Sequence, residues 1–268
     1  MSNLHRTLFF LVLLPACATT HTSESSVPQE GAAYGFSNPA PWDGPIAPDR
    51  PSFGVGTRAI PVGRFQAEVG YTIADDSDVT VHSLPNTLVR IGVAPGIEAR
   101  ISTPGLIFAE RAEDGFGDFL VGARFEVQRQ DGAVPELSIQ PSISLPTGDA
   151  SGTDSFNPEV FVPMSWSIDD ATSVLANVGL QVRTLDVDRQ TDLVLSTSAL
   201  VSRTLSDQVS AFAEYFAVYP ERVTGQHSLD FGAAYNWTPD LQIDAAVGFG
   251  LNDAATDLFL TFGASSRF

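Results

Sequence analysis

The sequence predicts an all-β fold, a single antiparallel transmembrane β-barrel of about 12 strands behind a disordered N-terminal tether. Three observations carry that expectation. From Phe65 to Phe268, stretches of roughly ten residues alternate apolar and polar side chains, which places the two kinds on opposite faces of a strand. Short and long connections alternate between those stretches, the asymmetry of a barrel with tight turns at one end and loops at the other. The chain also opens on a secretory signal, yet nowhere runs roughly 18 consecutive apolar residues, so a helical span is excluded beyond it.

The signal occupies residues 1–16. His5 and Arg6 give a short basic start, Leu8 to Leu14 an apolar core, and Pro15-Ala16 the small residues before a break. Leu14-Pro15-Ala16-Cys17 resembles the bacterial lipobox, which makes Cys17, the only cysteine, the expected point of lipid attachment. Ordinary cleavage near Ala18-Thr19 is the alternative and would discard it. Residues 17–60 are rich in Ser, Thr, Pro, Gly and acidic residues. They read as a flexible periplasmic tether, with Ser52–Ile60 as a lead-in.

The barrel is assigned to residues 61–268. Its strands are expected near 65–73, 88–93, 97–102, 117–128, 137–145, 160–168, 174–183, 193–202, 209–216, 229–237, 241–250 and 258–268. The cleanest alternation runs from Phe65 through Ala67, Val69 and Tyr71 to Ile73, with polar residues or Gly between. Pro141 and Pro163 cannot donate to a ladder and predict bulges or weak pairing. Ala94-Pro95-Gly96 and Thr238-Pro239-Asp240 read as tight turns. Segments 74–87, 103–116, 146–159 and 217–228 read as the longer outer loops. Tyr71, Trp166, Tyr215, Tyr235, Trp237, Phe249 and Phe268 end the apolar face, as interfacial aromatic girdles do.

Charge excludes whole classes of function. Thirty-two acidic residues stand against 14 Arg and no Lys, a net charge of −18. That is the wrong sign for nucleic acid. Of four histidines, His5 falls in the signal and His21 in the tether, leaving His82 and His227 in expected loops with no orienting third group. The chain is read as not an enzyme, without cofactor and without a metal site.

The polar face supplies the candidate site. Assigned inward, it carries Glu68, Glu98, Asp118, Glu126, Glu214, Asp230 and Asp244 against Arg90, Arg100, Arg124, Arg183 and Arg267. An Arg on the lipid face near mid-membrane costs about 2–4 kcal/mol, so these residues are expected to line the lumen. There they pair with one another. The last strand ends in Phe268, which resembles the assembly signal of bacterial outer-membrane proteins.

Several short motifs resemble one family. Asp49-Arg50-Pro51, Pro61-Val62-Gly63-Arg64-Phe65-Gln66-Ala67-Glu68-Val69-Gly70-Tyr71, Leu145-Pro146-Thr147-Gly148, Ala213-Glu214-Tyr215 and Gly248-Phe249-Gly250-Leu251-Asn252-Asp253 are similar to those of transporter-like barrels named for a MetA pathway of phenol degradation. The likeness spans about residues 49–268. It implies an outer-membrane β-barrel and supplies no catalytic residues.

The expected function is therefore a narrow passive channel or transporter-like protein for small solutes in the bacterial outer membrane, with a periplasmic N-terminus. A non-conducting structural or interaction lipoprotein with a plugged barrel is the alternative. Expected partners are outer-membrane lipid, the barrel-assembly machinery during insertion and a small solute, with no nucleic acid.

Overall fold

The computed structural model describes residues 44–77, 79–111, 113–184 and 190–268. The regular elements among them are strands: β1 (Phe65–Asp76), β2 (Val79–Ala94), β3 (Ile97–Thr103), β4 (Leu106–Ala109), β5 (Gly115–Phe116), β6 (Phe119–Gln128) and β7 (Glu136–Leu145) come first. Then follow β8 (Asn157–Ser167), β9 (Thr172–Thr184), β10 (Thr191–Thr204), β11 (Val209–Pro220), β12 (Gln226–Thr238), β13 (Leu241–Gly250) and β14 (Leu258–Arg267). Neighbours in the sheet pair antiparallel, β6 with β3 rather than with β5, and β1 pairs with both β14 and β2. The sheet therefore has no free long edge. β4 continues beyond the end of β3 along the first half of β2, and β5 pairs with β4. The barrel wall is thus a closed ring of twelve staves, at the positions the alternation predicts.

Period-two alternation sets the two faces. Val69, Ile91, Ile101, Ile139, Val178, Leu195, Val201, Phe231, Ile243 and Phe262 are exposed. Their polar neighbours in sequence, such as Glu68, Arg90, Ser138, Asn177, Ser196, Ser202, Asp230, Gln242 and Thr261, are buried. An apolar outside wrapped around a polar inside suits a barrel in lipid. Trp166, Tyr235, Trp237 and Phe268 lie near one end of the staves, and Tyr71, Tyr215, Tyr219 and Phe249 lie toward the other. The prolines interrupt the wall locally. Paired positions skip from Leu137↔Met164 to Gln140↔Phe161, opposite Pro163, and from Gly122↔Ser142 to Phe125↔Ile139, beside Pro141.

Connection lengths differ from the expectation at two places. Residues 74–87 and 217–228 are mostly strand, because β1, β2, β11 and β12 run on beyond the apolar belt. Backbone pairing continues there through polar and β-branched residues that the alternation rule had assigned to loops. His82 and His227 accordingly stand on β2 and β12, where each ring nitrogen is 2.6 Å from a tyrosine hydroxyl, that of Tyr71 and of Tyr215 respectively.

The larger correction concerns the lead-in. Cys17 and the tether up to residue 43 lie outside the described residues. From Gly44 onward the chain is not a flexible periplasmic tether: it enters the barrel, turns and comes back out at the same end. Arg267 donates to the Gly44 carbonyl at 2.9 Å and the Ile46 N–H donates to the Pro239 carbonyl at 2.6 Å, marking the way in beside the short turns. The Phe53 and Gly54 N–H groups reach Glu214, and Val55 N–H reaches Asn177, deep inside. The way out passes Ile60 and Pro61 and turns at Gly63, whose φ of 79° few other residues adopt. Val62 bridges to Gly92 before β1 begins. Composition made this stretch look unstructured. The lumen orders it by supplying partners to a backbone that forms no sheet of its own.

Candidate functional site

Inside the barrel the segment 44–60 converts a ring of charged side chains into a packed interior. Asp49 is its centre. The Asp49 carboxylate lies 2.6 Å from Arg100, 3.8 Å from Arg90 and in hydrogen-bond contact with Arg124. Burial by itself would raise its pKa, but the guanidiniums of Arg124, Arg90 and Arg100 hold it well below the usual carboxylate range. Glu98 closes the cluster, 3.0 Å from Arg90, 2.7 Å from Arg100 and 3.4 Å from Arg124. Glu68 lies 3.3 Å from Arg90 and accepts from the Asp49 N–H at 2.8 Å. Three cations and three anions thus fill one sector, and the segment supplies one of the anions.

The segment's backbone meets several of the remaining polar groups, although Arg124 Nε is left without a hydrogen-bond partner among the described residues. Arg90 donates to the carbonyls of Ala47 and Arg58, Arg124 donates to Arg58, and Ile60 N–H donates to Glu98. Glu126 accepts from Ala59 N–H at 2.8 Å and pairs with Arg129 at 2.9 Å. Glu136 accepts from Thr57 and lies 3.2 Å from Arg58.

Arg50 occupies a second sector. It lies 3.2 Å from Asp244 and donates to Thr261 at 3.0 Å. Its guanidinium fills a slot made by the absence of side chains at Gly70 and Gly263, which face each other across the β1–β14 pair. A Cβ at Gly70 would lie 2.0 Å from the guanidinium, and one at Gly263 would lie 2.1 Å from it. These glycines are needed for close approach, not for a turn. Phe53 stacks on Phe216 at 4.5 Å, and Phe216 meets Phe259 at 6.0 Å. Leu175, Leu200, Phe212 and Ala246 form an apolar cluster inside the same part of the wall.

The other candidate residues are scattered. Glu214 accepts from Phe53 and Gly54 and is the register partner of Asp230. Arg183 pairs with Asp192 at 3.1 Å and Arg267 with Asp240 at 2.7 Å, toward opposite ends. Asp118 is not in the middle of the lumen. It sits before β6, where it accepts from the N–H groups of Thr147, Gly148 and Thr153 and from the Thr153 hydroxyl, tying two long connections together. The wall residues neutralise one another in large part, Glu98 and Glu68 facing Arg90, Arg100 and Arg124, but the wall alone does not complete the arrangement. Asp49 and Arg50 complete both sectors. Sequence reasoning missed those two, although Asp49-Arg50-Pro51 was among the motifs carrying the family resemblance.

Above the segment a cavity of about 270 Å³ remains, reaching from Phe53 and Val55 toward the long connections. Leu88, Leu120 and Phe161 line one part of it, and Gln140, Ser142, Asn157, Glu159 and Gln181 another. Glu159 accepts from Ser142 at 3.1 Å and from Gln181 at 3.2 Å.

A family model described as "Putative MetA-pathway of phenol degradation" matches residues 48–268. No curated protein sequence matches the chain. Among solved structures, the chain is similar to an outer membrane channel from Pseudomonas putida F1, at 12% identity and a TM-score of 0.61, over 79% of this chain and 98% of that one. It is also similar to the NanC porin, at 12% identity and a TM-score of 0.54, over 76% of this chain and 100% of that one. The KdgM porin in complex with disordered oligogalacturonate aligns at 14% identity and a TM-score of 0.52, over 76% of this chain and 99% of that one. At these identities the likeness establishes the fold, a barrel of the outer-membrane type. The family match begins at residue 48, so it takes in most of the lumenal segment as well as the wall.

Proposed function

The chain belongs to the family described as putative MetA-pathway of phenol degradation, and from its geometry we propose an outer-membrane channel for small solutes that its own residues 44–60 hold closed. The observation that carries this reading is the cavity of about 270 Å³ that ends on Phe53 and Val55 of that segment. A wall built only to be filled has no need of a solvent-sized space, lined by both apolar and polar side chains, above its filling. In this reading the long connections face outside, and the short turns and N-terminus face the periplasm. Cys17 carries the lipid, and Phe268, stacked on Phe65 at 4.6 Å, is read by the assembly machinery.

Conductance in planar bilayers tests it. The full chain should conduct weakly. A chain lacking residues 44–60, or the pair Arg50→Ala and Glu214→Gln where the deletion fails to fold, should conduct severalfold more. Silence from every folded variant would leave the second reading, a non-conducting structural barrel. The matched charges around Asp49 and the built slot for Arg50 favour that reading in turn, since both resist displacement of the segment. Single-cysteine labelling of intact cells tests orientation: Ser77 should react and Ala94 should not.

A further inference from the structure

The charges that line the vestibule divide into two kinds. Its cations are already neutralised: Arg100 is held by Asp49 at 2.6 Å and Glu98 at 2.7 Å, and Arg183 by Asp192 at 3.1 Å. Its two carboxylates form no close ion pair among the described residues, although the charge of Arg100 reaches Glu159. Among the described residues the partners of Asp118 are backbone N–H groups and the Thr153 hydroxyl, and those of Glu159 are Ser142 and Gln181. All are neutral donors. The space is therefore surrounded by a net negative field, at a site where low dielectric and confinement strengthen it.

Glu159 is the better placed of the two. Its relative exposure is 9%, and what remains opens on the cavity. A carboxylate has about four acceptor positions, and the wall uses one on each oxygen. Two residues along the same face of β8 stands Phe161, whose ring is packed over Gly179, where a Cβ would lie 2.5 Å from it. Leu88, Leu120, Phe53 and Val55 continue the apolar surface. A carboxylate beside an aromatic ring, both facing a small enclosed space, is complementary to a cation with an apolar body.

We propose that the vestibule is a binding site for small organic cations, namely primary amines carrying an apolar ring or short chain, with Glu159 taking the ammonium and Phe161 the apolar body. The inference names a ligand class for the space on which the channel reading rests, but it needs no conduction to be true. Three probes that share a ring and differ in charge decide it: benzylammonium chloride, benzyl alcohol and sodium phenylacetate, titrated into the folded full chain in detergent and followed by calorimetry or ligand-observed NMR.

The amine should bind about tenfold more tightly than the alcohol, with phenylacetate weakest. Glu159→Gln should erase the amine's advantage and leave the alcohol's affinity within about twofold, since the amide keeps the shape and loses the charge. Phe161→Leu should weaken amine and alcohol alike. Equal affinities for the three probes, a preference for phenylacetate, or an amine preference that survives Glu159→Gln would overturn the proposal. Tight amine binding by a chain that never conducts would sink the channel reading and keep this one. Conduction without amine preference would do the reverse.

Discussion

Asp49, low in the lumen, meets three guanidiniums, while Glu159, in the vestibule above, meets a hydroxyl and a carboxamide. Both carboxyls are buried in the same barrel, but Asp49 lies within ion-pair distance of three cations, whereas Glu159 has neutral hydrogen-bond partners and feels only the more distant charge of Arg100. The first arrangement is expensive to disturb, because removing one member strands the others in a place water cannot reach. The second has no close counter-ion among the described residues, so loss of its charge costs little. A structural role explains the first and leaves the second without a purpose. In the proposed reading, that contrast separates the part of the interior that closes the barrel from the part that would face a solute.

The sharpest way to break the contrast is Asp49→Ala. Three buried guanidiniums would share Glu98 and Glu68 alone, and the expected loss is about 3–5 kcal/mol of unfolding free energy, read by urea titration of the refolded barrel. A loss below roughly 1 kcal/mol, the range of a solvent-exposed pair, would mean that the cluster is solvated and the comparison fails.

Arginine on either face of the wall gives the next largest effect. Val178→Arg places a cation on the exposed outer surface, at a cost of about 2–4 kcal/mol where lipid covers it, and should abolish heat-modifiable folding. Ser142→Arg places the same group within reach of Glu159 and should fold. Equal tolerance would undo the assignment of faces.

Acid should distinguish Asp49 more gently. Its pKa is held below the ordinary 3.8, so the ionised form stabilises the fold above that value, and the contribution is lost only as pH falls below it toward the folded-state pKa. The difference in unfolding free energy between the parent and Asp49→Asn should therefore stay constant from neutral pH to about pH 4 and shrink below that. A difference that declines from pH 6 onward would place Asp49 outside the cluster.

The smallest change sharpens the vestibule side. Glu159→Gln should alter stability by no more than about 1 kcal/mol, since the amide oxygen can keep the Gln181 donor and the Ser142 hydroxyl can turn to accept from the amide NH2. A loss as large as that for Asp49→Ala would erase the distinction between the two regions.

The wall was legible because a barrel repeats one rule: a side chain's parity decides its face, and twelve copies of the rule leave little ambiguity. Even Pro141 and Pro163 announced the gaps in the ladder through their missing N–H groups. The ends of the staves were less legible, since in Val79–Pro85 and Ala217–Pro220 apolar residues such as Val81 and Val218 are buried, opposite to the rule that holds in the belt. The lumenal segment was not legible from pattern at all. Pro45, Pro48, Pro51, Gly54 and Gly56 read as punctuation, and their order comes from contacts more than a hundred residues away, such as Gly54 with Glu214. What could have exposed it was a mismatch within the wall. Gly70 and Gly263 stand on the inward face where neighbouring positions are filled, and a missing side chain on both strands of a pair leaves room for something else.

The Arg50 slot also fixes an order of events during biogenesis. Its walls come from the first strand and the last, with Asp244 and Thr261 from β13 and β14 beside Gly70 and Gly263. The slot does not exist until β14 has met β1, after nearly the whole chain has been synthesised and threaded. Residues made first are therefore among the last to find their place. A barrel that stalls one stave short has nowhere to put this guanidinium, and an unseated N-terminal segment becomes the visible sign of an unfinished seam.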